Sequence, residues 1–204
     1  MLQEYKIQLL RTFWESCVED AIKALSIMIK SDVKKTRTII KVSNLKEIPK
    51  MMNPEEITTT LVYTKVPEQI KFVIMFSSSL RGFLNLINML LNKKIDYYTA
   101  LNEDNEPVMV EFGNIINGYF VSSLDRVFGK DLNYQDAVIS TNPFRAVEDF
   151  GMGNIYKEKV KVLVFRTDFS VKNENVEGKM FLLAEEKKLD VLLEEISRNI
   201  RFKA

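Results

Sequence analysis

The 204-residue chain reads as one order of elements written twice, and that repetition constrains its fold more than any other feature. Superposing residues 10–29 on 109–128 lays LRTFWESCVEDAIKALSIMI on MVEFGNIINGYFVSSLDRVF. Phe13 then falls on Phe112, Cys17 on Ile116, Ala21 on Phe120, Leu25 on Leu124 and Met28 on Val127. Apolar residues at this spacing predict one amphipathic helix in each half. Identity is low, and two amphipathic helices often match this well by chance, so the pattern alone leaves duplication open.

The elements that follow keep the same order. Residues 36–43 (TRTIIKVS) predict a strand, and 58–66 with 69–77 predict a hairpin across the Pro67-Glu68 turn, being β-branched and aromatic. Residues 77–94 predict a helix with Ser77–Ser79 as capping serines and Leu80, Phe83, Leu84, Ile87 and Leu90 at helical spacing. The polar stretch Tyr97–Glu106 links the halves, and Pro107 suits the first turn of the helix after it. In the second half a short strand is expected near Asp136–Thr141, then a loop (NPFRAVEDFGMGN), a hairpin of 159–171 with 176–185, and a last helix over 186–199. The expected fold is α+β: two pseudo-symmetric halves, roughly 1–96 and 97–204, forming one mostly antiparallel sheet with helices packed on it. Residues 1–204 would then be a single domain.

Within the second of these helices, VEFGNIINGYFVSSL (110–124) separates into two faces. At about 100° per residue, Glu111, Asn114, Gly118, Ser122 and Asp125 share one narrow stripe. Met109, Ile116, Phe120, Leu124 and Val127 lie opposite. One face suits a core. The other offers a carboxylate, a carboxamide and a gap. On an ordinary protein, glutamate and asparagine so placed are solvated surface.

The string Glu111-Phe112-Gly113-Asn114-Ile115, with Gly118 one turn on, resembles the signature of the CheC-type phosphatases of bacterial chemotaxis, the CheC, CheX and FliY group. The resemblance implies that the chain dephosphorylates the aspartyl phosphate of a CheY-like response regulator, with Glu111 and Asn114 as the site residues. It assigns Glu111 a docking role, pairing with a lysine of the regulator. A carboxamide both accepts and donates, so Asn114 suits the positioning of a water rather than its deprotonation. The chain itself would bind no cofactor, the Mg(II) ion being held by the response regulator. Relatives usually carry serine or aspartate four residues before the glutamate, where this chain has Pro107. In relatives with two sites the first helix carries the motif too. Here Thr12 and Glu15 stand at the Glu111 and Asn114 positions, Trp14 at Gly113 and Glu19 at Gly118, so at most one catalytic site is expected.

The resemblance also implies a CheD-like deamidase as a partner. It implies a homodimer through sheet contacts where Leu61–Lys65 or Val162–Phe165 lie on an edge. The alternative reading is a non-catalytic module that binds a phosphorylated regulator or a CheD-like partner, since flagellar switch proteins resemble the same fold without the motif.

Composition excludes other chemistries. Histidine is absent, so a Ser-His-Asp triad, a His-ligated zinc and phosphohistidine chemistry are impossible. One cysteine, Cys17, fits a reducing compartment and a core position beside Trp14, Ala21 and Met28. Its 29 basic and 28 acidic residues give a net charge of +1, without the basic excess of a nucleic-acid binder. The first residues lack a signal-peptide pattern and no apolar run approaches ~20 residues, so no membrane span and a cytoplasmic location are expected. Tyr97, Tyr98 and Tyr119 read as packing or rim residues, and FRAVEDF (144–150) as a surface loop.

Overall fold

A computed structural model describes residues 4–52, 59–67, 70–92, 94, 105–142, 160–172, 174 and 176–200. Helix α1 (Glu4–Ile29) leads into strand β1 (Val33–Asn44), and a 3-10 turn at Leu45–Glu47 passes into the short helix α2 (Ile48–Met52). Strands β2 (Thr59–Pro67) and β3 (Lys71–Ser79) run into helix α3 (Leu80–Leu91). The second half places α4 (Glu106–Phe128), β4 (Val138–Ser140), β5 (Lys161–Val171) and β6 (Glu177–Glu185) before a 3-10 turn at Glu186–Lys188 and helix α5 (Leu189–Ile200). The Pro67-Glu68 and Lys172–Asn175 turns, the 97–104 link, Tyr97, Tyr98 and the 144–150 loop lie wholly or partly outside the described residues.

Among the described residues six strands run in the order β1-β5-β6-β3-β2-β4, and every neighbouring pair is antiparallel. Each half contributes its hairpin to the centre and lends its first strand to the other half's hairpin. β1 pairs with β5 from Val33↔Val171 to Asn44↔Lys161, and β4 pairs with β2 from Leu61↔Ser140 to Tyr63↔Val138. This interleaving makes β5 an interior strand, so Val162–Phe165 is no edge, and β4 flanks Leu61–Tyr63. Among the described residues the edges are β4, three residues long, and β1, which carries exposed Lys34, Lys35, Arg37 and Lys41 and a register shift between Lys35 and Arg37. Short edges, lysines and irregularities of this kind disfavour pairing with another chain.

Helices α1, α3, α4 and α5 cover one face of the sheet. Phe72, Ile74 and Phe76 of β3, Leu163, Phe165 and Phe169 of β5, and Met180, Leu182 and Ala184 of β6 point into this main core. On the other face a smaller cluster buries Tyr63, Val73, Met75, Val162, Val164, Phe181 and Leu183 beneath Leu45, Ile48 and Met52. Strands buried on both faces need continuous apolar runs, which is why KFVIMF and KVLVF do not alternate. Trp14 of α1 ties three elements together. Its ring stacks on Phe120 of α4 with centroids 5.4 Å apart, and its Nε1–H donates to Thr167 Oγ1 of β5 at 2.9 Å. Gly178 on β6 is where the Phe169 ring crosses, and a Cβ there would lie 2.3 Å from the ring.

Helix ends follow their local chemistry. Of the three serines only Ser79 caps α3, its Oγ accepting from Gly82 N–H at 2.9 Å. Ser77 and Ser78 belong to β3, and Ser78 Oγ donates to the Glu177 carbonyl across the sheet. Helix α4 stops at Gly129, whose φ of 63° is the left-handed conformation glycine adopts at little cost.

Cys17 is buried in the core, and burial pushes its thiol up to about 12 from 9.0. A pKa raised by folding contributes stability that is complete below the unfolded value and fades as pH rises towards the folded one. Unfolding free energy is therefore expected to fall between about pH 9 and pH 12 more steeply in the wild type than in Cys17→Ala, as denaturant melts across that range would report. Iodoacetamide is expected to label Cys17 only after unfolding.

Candidate active site

Helix α4 holds the motif, and the apolar letters of the motif orient it. Phe112 is fully buried and meets two rings edge-on, Phe76 of β3 at 5.2 Å and Phe83 of α3 at 5.5 Å. Gly113 is buried beside it. With Phe112 turned into the core, Glu111 turns outward and is exposed. Asn114 and Gly118 follow on the same side at one-turn spacing, both half-buried. Ile115 and Tyr119 flank them and are 37% and 44% exposed. Pro107 sits in the first turn and is exposed.

The far end of α4 is clasped to α1. Arg126 pairs with Asp20, and Ser123 Oγ lies 2.8 Å from the Arg126 guanidinium. After Gly129 the chain doubles back along α4. Leu132 N–H donates to Asp125 Oδ1 at 2.8 Å, Gln135 N–H to the Lys65 carbonyl at 2.9 Å, and Ala137 N–H to Asn114 Oδ1 at 2.7 Å. Asn114 is thus held by the residue just before β4. Among the described residues its Nδ2 has no hydrogen-bond partner, and Glu111 has neither a hydrogen bond nor an ion pair.

Gly118 leaves a real gap, since a Cβ built there meets nothing within 4 Å. Alanine would fit the free protein and is the better helix former. Gly118→Ala is therefore expected to raise stability by about 1 kcal/mol, read as a higher denaturation midpoint. If a partner presses against this face, the same change weakens the encounter.

On the corresponding face of α1 two of the three side chains are engaged within the helix. Thr12 Oγ1 donates to the Gln8 carbonyl at 3.1 Å, and Glu19 pairs with Lys23 at 3.3 Å. Glu15 is exposed and Trp14 is buried beneath. The structure brings Glu111, Asn114 and Gly118 to one surface; Thr12, Glu15 and Glu19 are exposed at the same spacing on α1 but supply no carboxamide and no glycine gap.

Among the described residues no three acidic or cysteine side chains converge to hold a metal ion, and no helix is long and apolar enough to cross a membrane. A cleft of about 200 Å³, lined by Ile70, Phe72, Phe128, Leu132 and Val191 with Lys130 and Glu195, opens at the opposite end of α4. Phe128 lies about 21 Å along the helix from Asn114. Glu111 and Asn114 stand on a helix surface instead. Such a surface suits a partner that brings its own concave site.

Solved structures share this fold across nearly the whole chain. FliY from Thermotoga maritima is 11% identical, covering 98% of this chain and 99% of that one, with a TM-score of 0.72. The FliM middle domain from H. pylori is 6% identical, covering 95% and 99%, with a TM-score of 0.64. The chemotaxis protein CheX from Vibrio vulnificus is 16% identical, covering 85% and 99%, with a TM-score of 0.54. No protein-family model and no curated protein matches the chain.

Proposed function

We propose that this chain, which has the fold of the chemotaxis and flagellar proteins CheC, CheX, FliY and FliM, is a phosphatase. It removes the aspartyl phosphate from a CheY-like response regulator in the cytoplasm. The observation that carries this reading is the placement of Glu111 and Asn114 side by side on an outward helix face, beside the gap at Gly118. Hydrolysis of an acyl phosphate needs a water in line with the leaving oxygen and charge neutralised around the phosphoryl group. The regulator brings the Mg(II) ion and a lysine. The helix adds Asn114, whose Oδ1 keeps a second lone pair for the water while Nδ2 donates to a phosphoryl oxygen. Glu111 pairs with the regulator's lysine and keeps its charge off the phosphate. On this reading residues 1–204 work as one domain of duplicated halves with a single site, and a CheD-like deamidase is a further partner.

The test is the decay of a radiolabelled phosphorylated CheY-like regulator with and without the protein. Faster decay, with a higher half-saturating regulator concentration in Glu111→Gln, supports the reading. A decay rate unchanged by the wild-type protein overturns it. The likeness to the FliM middle domain favours a second reading, a module that binds the phosphorylated regulator without hydrolysing it. Tight binding with an unchanged phosphate lifetime would establish that one.

A further inference from the structure

We infer that the backbone N–H of Ala137 is a positioning group for Asn114, fixing which end of its carboxamide faces an incoming partner. The catalytic consequence rests on the phosphatase reading; the structural part stands on the hydrogen bond itself. A carboxamide has two orientations of nearly equal shape, with oxygen and nitrogen exchanged. An N–H can donate only to the one that presents oxygen to it. The 2.7 Å bond from Ala137 N–H to Asn114 Oδ1 selects that orientation. Nδ2 is then left to the outer side, where among the described residues no protein acceptor takes it.

The donor is held rather than free. Ala137 is only 5% exposed and leads directly into β4. The segment before it is tied to Asp125 through Lys130 and Leu132 and to Lys65 through Gln135. An exchanged carboxamide would turn Oδ1 towards the phosphoryl oxygens, acceptor against acceptor. The fixed one turns a donor towards them. Because the orientation is set before any partner arrives, no reorganisation is needed at the moment of reaction. Residues 129–137 thus act on the site without touching the substrate.

Two measurements test this. In hydrogen exchange followed by NMR, the Ala137 amide is expected to exchange about tenfold or more slowly in the wild type and in Asn114→Asp, which keeps the acceptor, than in Asn114→Ala. Equal exchange in the wild type and Asn114→Ala overturns the inference, and this arm holds whatever the protein does to phosphate. In the decay assay, Ala137→Pro removes the N–H outside the β4 ladder. It is expected to lower the maximal rate about tenfold and leave the half-saturating regulator concentration within about twofold. An unchanged maximal rate overturns the inference. Should the proline variant fail to fold, lactic acid at position 137 replaces the N–H by an ester oxygen and makes the same comparison. A wild type that hydrolyses nothing removes the phosphatase reading, and the exchange arm then decides the hydrogen bond alone.

Discussion

Asn114→Ala is expected to lower the stimulated rate of phosphate loss by about a hundredfold or more, the scale on which misplacing a reacting group acts. The same change strips Ala137 N–H of its acceptor. A buried donor left without a partner costs about 1–3 kcal/mol, so the alanine variant is also expected to melt earlier. The two effects separate in Asn114→Asp, which keeps an oxygen for Ala137 N–H and loses the Nδ2 donor. It also places a negative charge towards the phosphate. The aspartate variant is expected to melt near the wild type and hydrolyse as poorly as the alanine variant. Wild-type turnover by either variant would remove Asn114 from the chemistry. Regulator decay and thermal melts on the same preparations decide both points.

The second large effect concerns stability. Phe112 stands between Glu111 and Gly113 in the motif, yet its ring meets Phe76 and Phe83 in the main core. Phe112→Ala is expected to cost about 3–5 kcal/mol in a denaturant melt. Domains are typically stable by only about 5–15 kcal/mol, so this one ring is a large share. Activity in that variant is expected to fall with the folded fraction and to return at lower temperature, unlike that of Asn114→Asp. A loss below about 1 kcal/mol would show that the ring's place is filled by its neighbours.

The long helices and the hairpins are legible because their patterns are local, whereas α2, five residues long, is too short to show a helical period. Periodicity alone placed α1 and α4, and β-branched runs between turn residues placed β2 with β3 and β5 with β6. β1 reads as 36–43 and extends to Val33–Asn44, because Lys34 and Lys35 are polar for a strand and are explained only by its edge position. The exchange of β1 and β4 between halves has no local signature, since a strand's partner is chosen by the whole core. That exchange is why Val162–Phe165 is interior. Glu111 and Asn114 could be placed on one face from spacing. Ala137 could not be found, since what it contributes is a backbone N–H that every residue but proline possesses. The serines Ser77–Ser79 form one run, and their division between strand and cap depends on where β3 meets Gly178.

The lending of strands between halves has a consequence for synthesis. β1 leaves the ribosome on the order of 120 residues before β5, and a pairing so distant in sequence forms late. The nascent first half must carry its outermost strand unpaired while the second is still being made. The lysines of β1 suit that interval, since charge on a waiting strand keeps neighbouring nascent chains from joining it. Final closure of the sheet waits for both hairpins, so neither half can complete its own fold before the other exists.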